Sequence, residues 1–220
     1  MGHEELDWKR LGVLETGSAR IDLCGSKESI VFLEKKRLVV TDDAFERFWG
    51  VMNRNTFVRR RQATYGTRYC FAGQESHEVF SGDEGEWPSV LRCMLEIVRE
   101  SLDVEFEGKG LAAHVNWYEG GEASLAPHSD KDDVFVPRSP IFSFTLSRGK
   151  ARGFQIYKKD ASNGRATLPP LYDLELEDGD MLIMAGNMQR DYMHGVKKTT
   201  RKDYRDSRRI NVTVRVRGDT

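Results

Sequence analysis

The chain has 220 residues, 39% apolar and 31% charged, and its 34 basic and 35 acidic side chains leave a formal charge of −1. That mixture is ordinary for a folded globular chain and excludes collagen, coiled-coil and disordered classes. The length fits a single domain over 1–220 with a sizeable core.

From the start, Met1-Gly2-His3-Glu4-Glu5-Leu6 is acidic and polar, so no secretory signal is expected, and Leu6 stands where a myristoylation motif wants Ser or Thr. Residues 1–40 read as an N-terminal extension with one or two strands, Ile30–Leu33 and Leu38–Val40. Apolar runs last only a few residues, too short to cross a bilayer, so no membrane partner is expected. Cys24, Cys70 and Cys93 are odd in number and widely spaced. That suits neither a disulfide framework nor a zinc ribbon, and a reducing intracellular compartment is expected.

Residues 41–110 carry the helical patterns. Thr41 can cap a helix running through Asp42-Asp43-Ala44-Phe45-Glu46-Arg47-Phe48-Trp49, with acids in the first turn where the helix dipole favours them. Residues 57–73 read as a hairpin turning at Tyr65-Gly66 and returning through Tyr69-Cys70-Phe71. Trp87-Pro88 opens a second helix, in which Val90, Leu91, Met94, Leu95, Val98 and Leu102 keep helical spacing.

After Gly110 the period changes to that of strands. In Leu111–Tyr118, Leu111, Ala113, Val115 and Trp117 share one face and His114, Asn116 and Tyr118 the other. Ile141–Ser147 alternates too, with Phe142, Phe144 and Leu146 opposing Ile141, Ser143, Thr145 and Ser147. Phe154–Tyr157 is a short strand, and Leu171–Leu176 and Met181–Met184 are joined by the turn Glu177-Asp178-Gly179-Asp180. The last strand, Arg209–Arg217, sets Ile210, Val212, Val214 and Val216 against Arg209, Asn211, Thr213, Arg215 and Arg217. Many short strands after helices predict an α+β, mostly β chain: an antiparallel sandwich or jelly roll over 111–217, with the helices buttressing one sheet.

Local charge departs from the neutral total. Val51 to Tyr69 holds five basic residues and no acidic one, and Gly195 to Arg217 holds nine against Asp203 and Asp206. Such runs are either a solvated face or an invitation to a polyanion.

The candidate chemistry lies in the strands. His128-Ser129-Asp130 puts an imidazole and a carboxylate at i and i+2, on one side of an extended segment. His194 is a third candidate ligand, and two His plus one carboxylate form the facial set of non-haem Fe(II) oxygenases. His-x-Asp also arises by chance, and a His beside a glycine is often structural. The last strand favours the metal reading. If its aliphatic face packs on the helices, Arg209, Asn211, Thr213 and Arg215 line the interior, where buried guanidinium groups need anions. A small dicarboxylate would satisfy such a fork.

These residues resemble the AlkB family of Fe(II)/2-oxoglutarate dioxygenases, closest to its animal DNA-repair branch. The resemblance rests on Asn116-Trp117-Tyr118, His128-Ser129-Asp130, Ser139-Pro140-Ile141-Phe142-Ser143, Gly179-Asp180, His194-Gly195 and Arg209-x-Asn211-x-Thr213-x-Arg215, in the family's order. Upstream, Arg60-Arg61-Gln62-Ala63-Thr64-Tyr65-Gly66, Tyr69-Cys70-Phe71-Ala72-Gly73 and Glu86-Trp87-Pro88-Ser89-Val90-Leu91 resemble the lid and helix start of that branch, so the likeness covers about residues 57–217.

The resemblance implies a double-stranded β-helix with a nucleotide-recognition lid within 41–110. It implies that His128, Asp130 and His194 bind Fe(II), and that Arg209, helped by Tyr118, pairs with the distal carboxylate of 2-oxoglutarate. Asn116, Asn211, Thr213 and Arg215 would flank that cosubstrate, Arg215 toward the oxidising end and so with a catalytic role. With dioxygen, N-methyl groups of bases such as 1-methyladenine or 3-methylcytosine would leave as formaldehyde, with succinate as co-product. The base must leave the duplex stack to be reached. Tyr69 and Phe71 resemble the stacking aromatics, with core packing the alternative. Ser143 and Asp132 would join the substrate site, and Asp132 and Asp133 either read an exocyclic amine or sit on a solvated turn. Arg60, Arg61 and the Lys197–Arg208 loop are candidate phosphate contacts. Val51-Met52 or Phe57 stands about where the branch carries an apolar gap-filling finger. DNA is the favoured partner and RNA the second. A monomer is expected, nuclear in a eukaryote and otherwise cytoplasmic. The competing readings are a hydroxylase of proteins or small molecules and an inactive nucleic-acid-binding module.

Overall fold

A computed structural model describes residues 18–22, 28–51, 60–67, 70–71, 74–75, 79–80, 82–131 and 134–218. In chain order the elements are β1 (Ser18–Asp22), β2 (Ser29–Glu34), α1 (Asp42–Gly50), β3 (Arg60–Tyr65), β4 (Cys70–Phe71), β5 (Gln74–Glu75), β6 (Val79–Phe80), α2 (Ser89–Ser101), β7 (Leu111–Glu119), β8 (Leu125–His128), β9 (Ile141–Arg148), β10 (Arg152–Lys158), β11 (Tyr172–Leu176), β12 (Met181–Gly186), α3 (Met188–Asp191), β13 (Tyr192–Val196) and β14 (Arg208–Val216). Eight strands form one sheet in the order β1-β2-β12-β9-β14-β7-β3-β6, and four form a second in the order β11-β10-β13-β8. Chain order scrambled across two facing sheets is the double-stranded β-helix, or jelly roll.

Strand alternation explains the layering. Ile210, Val212, Val214 and Val216 of β14, with Leu111, Ala113, Val115 and Trp117 of β7 and Phe142, Phe144 and Leu146 of β9, share one buried cluster with Phe45, Phe48 and Trp49 of α1 and Leu91, Met94, Leu95 and Val98 of α2. The helices therefore cover the outer face of the large sheet, and its polar face turns inward. Thr41 caps α1 by accepting the Ala44 N–H on Oγ1 (3.3 Å), and Arg208 grips α1 through Glu46 (2.7 Å) with its guanidinium over Phe45. A second cluster, including Val31, Ile141, Phe154, Ile156, Leu182, Met184 and Tyr192, fills one part of the space between the sheets. No helix of the described residues is long and apolar enough to cross a membrane.

Two local expectations change. Leu38–Val40 is a loop: Leu38 N–H reaches Gly179 O (3.1 Å), but Val39 is 86% exposed and no ladder forms. Among the described residues, the hairpin expected over 57–73 does not form. β3 pairs with β7 and, in parallel, with β6, whereas Cys70–Phe71 pairs with Gln74–Glu75. Ala63 and Tyr65 are buried in the helix-side core, so joining the long strand β7 extends that core as a local hairpin could not. The turn expected after Leu176 forms, and it carries the chain from the small sheet to the large one. Its Asp180 carboxylate is buried, accepts the Glu177 N–H (2.8 Å) and pairs with Lys35 Nζ (2.6 Å).

Candidate metal centre and cosubstrate pocket

The inward face of the large sheet is built in rows. β7 and β14 pair Tyr118 with Arg209, Asn116 with Asn211, His114 with Thr213 and Ala112 with Arg215. β9 continues three of these rows with Ser147, Thr145 and Ser143. Because alternate residues share a face, one apolar-polar pattern places every polar group of this wall at once.

The small sheet supplies the opposite wall. His128 ends β8 and lies directly across the ladder from His194 on β13, with the ring centroids 4.3 Å apart. Asp130 Oδ1 is 3.4 Å from His128 Nε2 and 3.9 Å from His194 Nε2, and the three ligand atoms lie within 4.8 Å of one another. His128 Nδ1 lies 3.0 Å from Ala126 O, which can only accept, so that nitrogen carries hydrogen and Nε2 is left for a metal. Burial, reinforced by His128 and Arg215 and opposed by Asp130, pushes His194 down to about 3, so its ring is neutral as a ligand must be. Burial raises the Asp130 carboxyl, but hydrogen bonding to His128 and the electrostatics of the two neighbouring imidazoles and the Arg215 guanidinium outweigh it and hold the group well below the usual carboxylate range. Phe154 stacks on the His194 ring at 5.4 Å.

Deeper in, Arg209 is buried. Its Nη2 donates to Thr145 Oγ1 (3.1 Å) and its guanidinium lies 5.1 Å from the Tyr118 ring centre. Its Nε and Nη1 and the Tyr118 hydroxyl have no hydrogen-bond partner among the described residues. Burial pulls this guanidinium below its ordinary value. Arg152 differs: it is buried too, but donates to Gly120 O (2.8 Å), Gly121 O (3.1 Å), Ala123 O (2.7 Å) and Lys197 O (2.7 Å). Of the two, Arg209 is the one with donors to spare, a fit for a carboxylate. Asn211 Nδ2 donates to Ser143 Oγ (2.8 Å) and Phe144 O (2.9 Å), and Arg215 Nη1 donates to Lys131 O (2.5 Å) while its guanidinium covers Phe135 at 3.9 Å. The cavity is lined by the three candidate ligands together with Asn116, Tyr118, Ser143, Asn211, Thr213 and Arg215.

The remaining candidates fall elsewhere. Tyr69, Asp132, Asp133, Met52 and Phe57 lie outside the described residues. Arg60 and Phe71 belong to β3 and β4, but their side chains are outside them as well. Val51 ends α1 half-exposed. In the basic loop, Arg208 is committed to Glu46, and Arg201 pairs with Asp203 (2.8 Å). Sequence reasoning gave no role to His114, whose Nδ1 lies 3.1 Å from Thr64 Oγ1 on the cavity wall, nor to Thr145, Phe154 and Arg152. Alternation had already put His114 and Thr145 on the polar face; nothing local marks Arg152.

A family model described as the 2OG-Fe(II) oxygenase superfamily matches residues 42–215, and the chain belongs to that superfamily. Two histidines and a carboxylate facing one point fit the Fe(II) that this superfamily uses with 2-oxoglutarate. Within it, the chain is similar to AlkB homologues. Alpha-ketoglutarate-dependent dioxygenase alkB homolog 3 of Homo sapiens is 32% identical across 59% of this chain and 43% of its own length. DNA oxidative demethylase ALKBH2 of Arabidopsis thaliana is 30% identical across 46% of this chain and 36% of its own. The matched part thus spans less than half of these relatives. The solved structure of OsALKBH1 shares the fold at a TM-score of 0.58 and 18% identity, over 84% of this chain and 96% of that one.

Proposed function

We propose that this protein removes N-methyl groups oxidatively from nucleic-acid bases such as 1-methyladenine and 3-methylcytosine, with DNA the favoured polymer and RNA the second. The observation that carries the reading is the His128, Asp130 and His194 cluster, together with the spare donors of Arg209, which pairs in register with the cavity-lining Tyr118. The printed names of the relatives, a DNA oxidative demethylase among them, support the substrate class.

When bound, Fe(II) and 2-oxoglutarate supply a two-electron oxidation by dioxygen: the cosubstrate leaves as succinate and carbon dioxide, and the N-methyl carbon gains oxygen and departs as formaldehyde. His128, Asp130 and His194 would hold the metal, offering two imidazole nitrogens and one carboxylate oxygen. Arg209 would take the distal carboxylate with its spare donors, its third nitrogen being fixed by Thr145 and its face by Tyr118. Asn116, Asn211 and Thr213 form the polar wall beside it. Arg215 ties the metal-binding loop through Lys131 O, beside the reacting centre. The sequence resemblance assigns Arg60, Tyr69, Phe71, Asp132 and Ser143 to the base, Tyr69 and Phe71 as stacking partners and Asp132 as the group favouring the positive charge of a methylated ring nitrogen.

The test is incubation with Fe(II), 2-oxoglutarate and ascorbate of DNA and RNA oligomers carrying either lesion. The expected result is loss of one CH2 per lesion, matched by succinate. Succinate without methyl loss on any oligomer would assign the chemistry to a protein or small-molecule hydroxylase. Tight binding without succinate would mean an inactive binding module.

A further inference from the structure

The two halves of the metal centre come from different strands, and side chains tie them together. The β8 ladder ends at His128, so Asp130 stands beyond it. Its N–H instead donates to Gln189 Oε1 at 2.8 Å. One residue earlier, Ser129 Oγ donates to Tyr192 O at 2.8 Å. Gln189 lies on α3, the single helical turn that runs straight into β13 and His194. That turn is anchored: the Arg190 and Asp191 N–H groups both reach Asn187 O (3.0 Å each), and Asn187 donates to Glu28 O (2.6 Å) and Glu28 Oε2 (2.9 Å). An amide N–H needs an acceptor, which forces Oε1 toward Asp130 and leaves Nε2 for Met184 Sδ at 3.5 Å.

We propose that Gln189 is a positioning residue for the carboxylate ligand: presented by the turn in front of His194, its side-chain oxygen orients the 129–130 peptide and so sets the distance between Asp130 and the two imidazoles. The inference rests on the metal assignment above. The 129–130 peptide lies outside the ladder, and rotation about it swings the Asp130 carboxylate away from His128 and His194. The Gln189 bond removes that freedom before any metal arrives, so less ordering remains to be done on binding. Outer partners of this kind are worth about 10–100-fold in metal affinity.

The test titrates Mn(II), as a redox-inert stand-in for Fe(II), into wild-type protein and the variants Gln189→Leu, Gln189→Glu and His128→Ala, and records the melting midpoint of each without metal. The expected result is a dissociation constant raised about tenfold or more in Gln189→Leu, a metal-free midpoint equal to wild type, and recovery of most of the affinity in Gln189→Glu, which keeps an acceptor. Wild-type affinity in Gln189→Leu would overturn the proposal. So would an equal loss in Gln189→Glu, or a loss matched by a fall in the metal-free midpoint, which would make the contact merely structural. Undiminished binding in His128→Ala would instead overturn the metal assignment itself.

Discussion

Arg152 and Arg209 are buried within electrostatic reach of each other, yet their surroundings give them different work. Four backbone carbonyls surround the Arg152 guanidinium, so its role is to staple residues 120–123 to Lys197. Arg152→Ala strands several of these acceptors at about 1–3 kcal/mol each, and a fall in the denaturation midpoint of ligand-free protein checks it. Arg209 keeps two nitrogens without a hydrogen-bond partner among the described residues. Arg209→Ala should raise the 2-oxoglutarate KM about 30-fold or more, as expected when one member of a buried charge pair is removed, while the oligonucleotide KM moves little. Equal changes in both constants would argue against the carboxylate role. Arg209 was legible in the sequence because strict alternation set it opposite four aliphatic residues. Arg152 was not, because its partners are carbonyls from segments distant in the chain, which leave no pattern in residue types.

At the scale of elements, the glycine after His194 has a steric reason. A Cβ on Gly195 would lie 2.7 Å from Leu125 O, 3.2 Å from Pro127 N and 3.3 Å from Ala126 C, all backbone atoms of β8. Gly195→Ala therefore pushes β13 off β8 and separates His194 from His128. The expected outcome is weaker Mn(II) binding together with a lower melting midpoint, whereas wild-type values for both would show that the strands can yield. Elements with a clear period, such as α1, α2, β7, β9 and β14, were readable residue by residue because burial on one face dictates the pattern. The 57–73 segment and Leu38–Val40 were not. Their fate depends on which distant strand offers an edge, and for β3 that edge is β7.

Over the whole molecule, the jelly roll brings residues 128, 130, 194 and 209 between two sheets, and helices α1 and α2 seal the face that cannot hold polar groups. The stretch before residue 41 joins in this: β2 pairs with β12 and β1 with β2, lengthening the large sheet beyond the catalytic strands. Only the strand at Ile30–Leu33 was foreseeable there, since sheet membership is a tertiary fact. The triad itself was legible as residue types, but its convergence was not, because His194 meets His128 only through the β8–β13 pairing.

That convergence is most directly tested by anaerobic titration of 2-oxoglutarate into Fe(II)-loaded protein, following the visible charge-transfer band that appears when a 2-oxo acid chelates ferrous iron. Wild-type protein should give the band at one equivalent of iron, His128→Ala and His194→Ala should give none, and Arg209→Ala should need far more 2-oxoglutarate for the same band. An undiminished band in either histidine variant would contradict a single iron held between these strands.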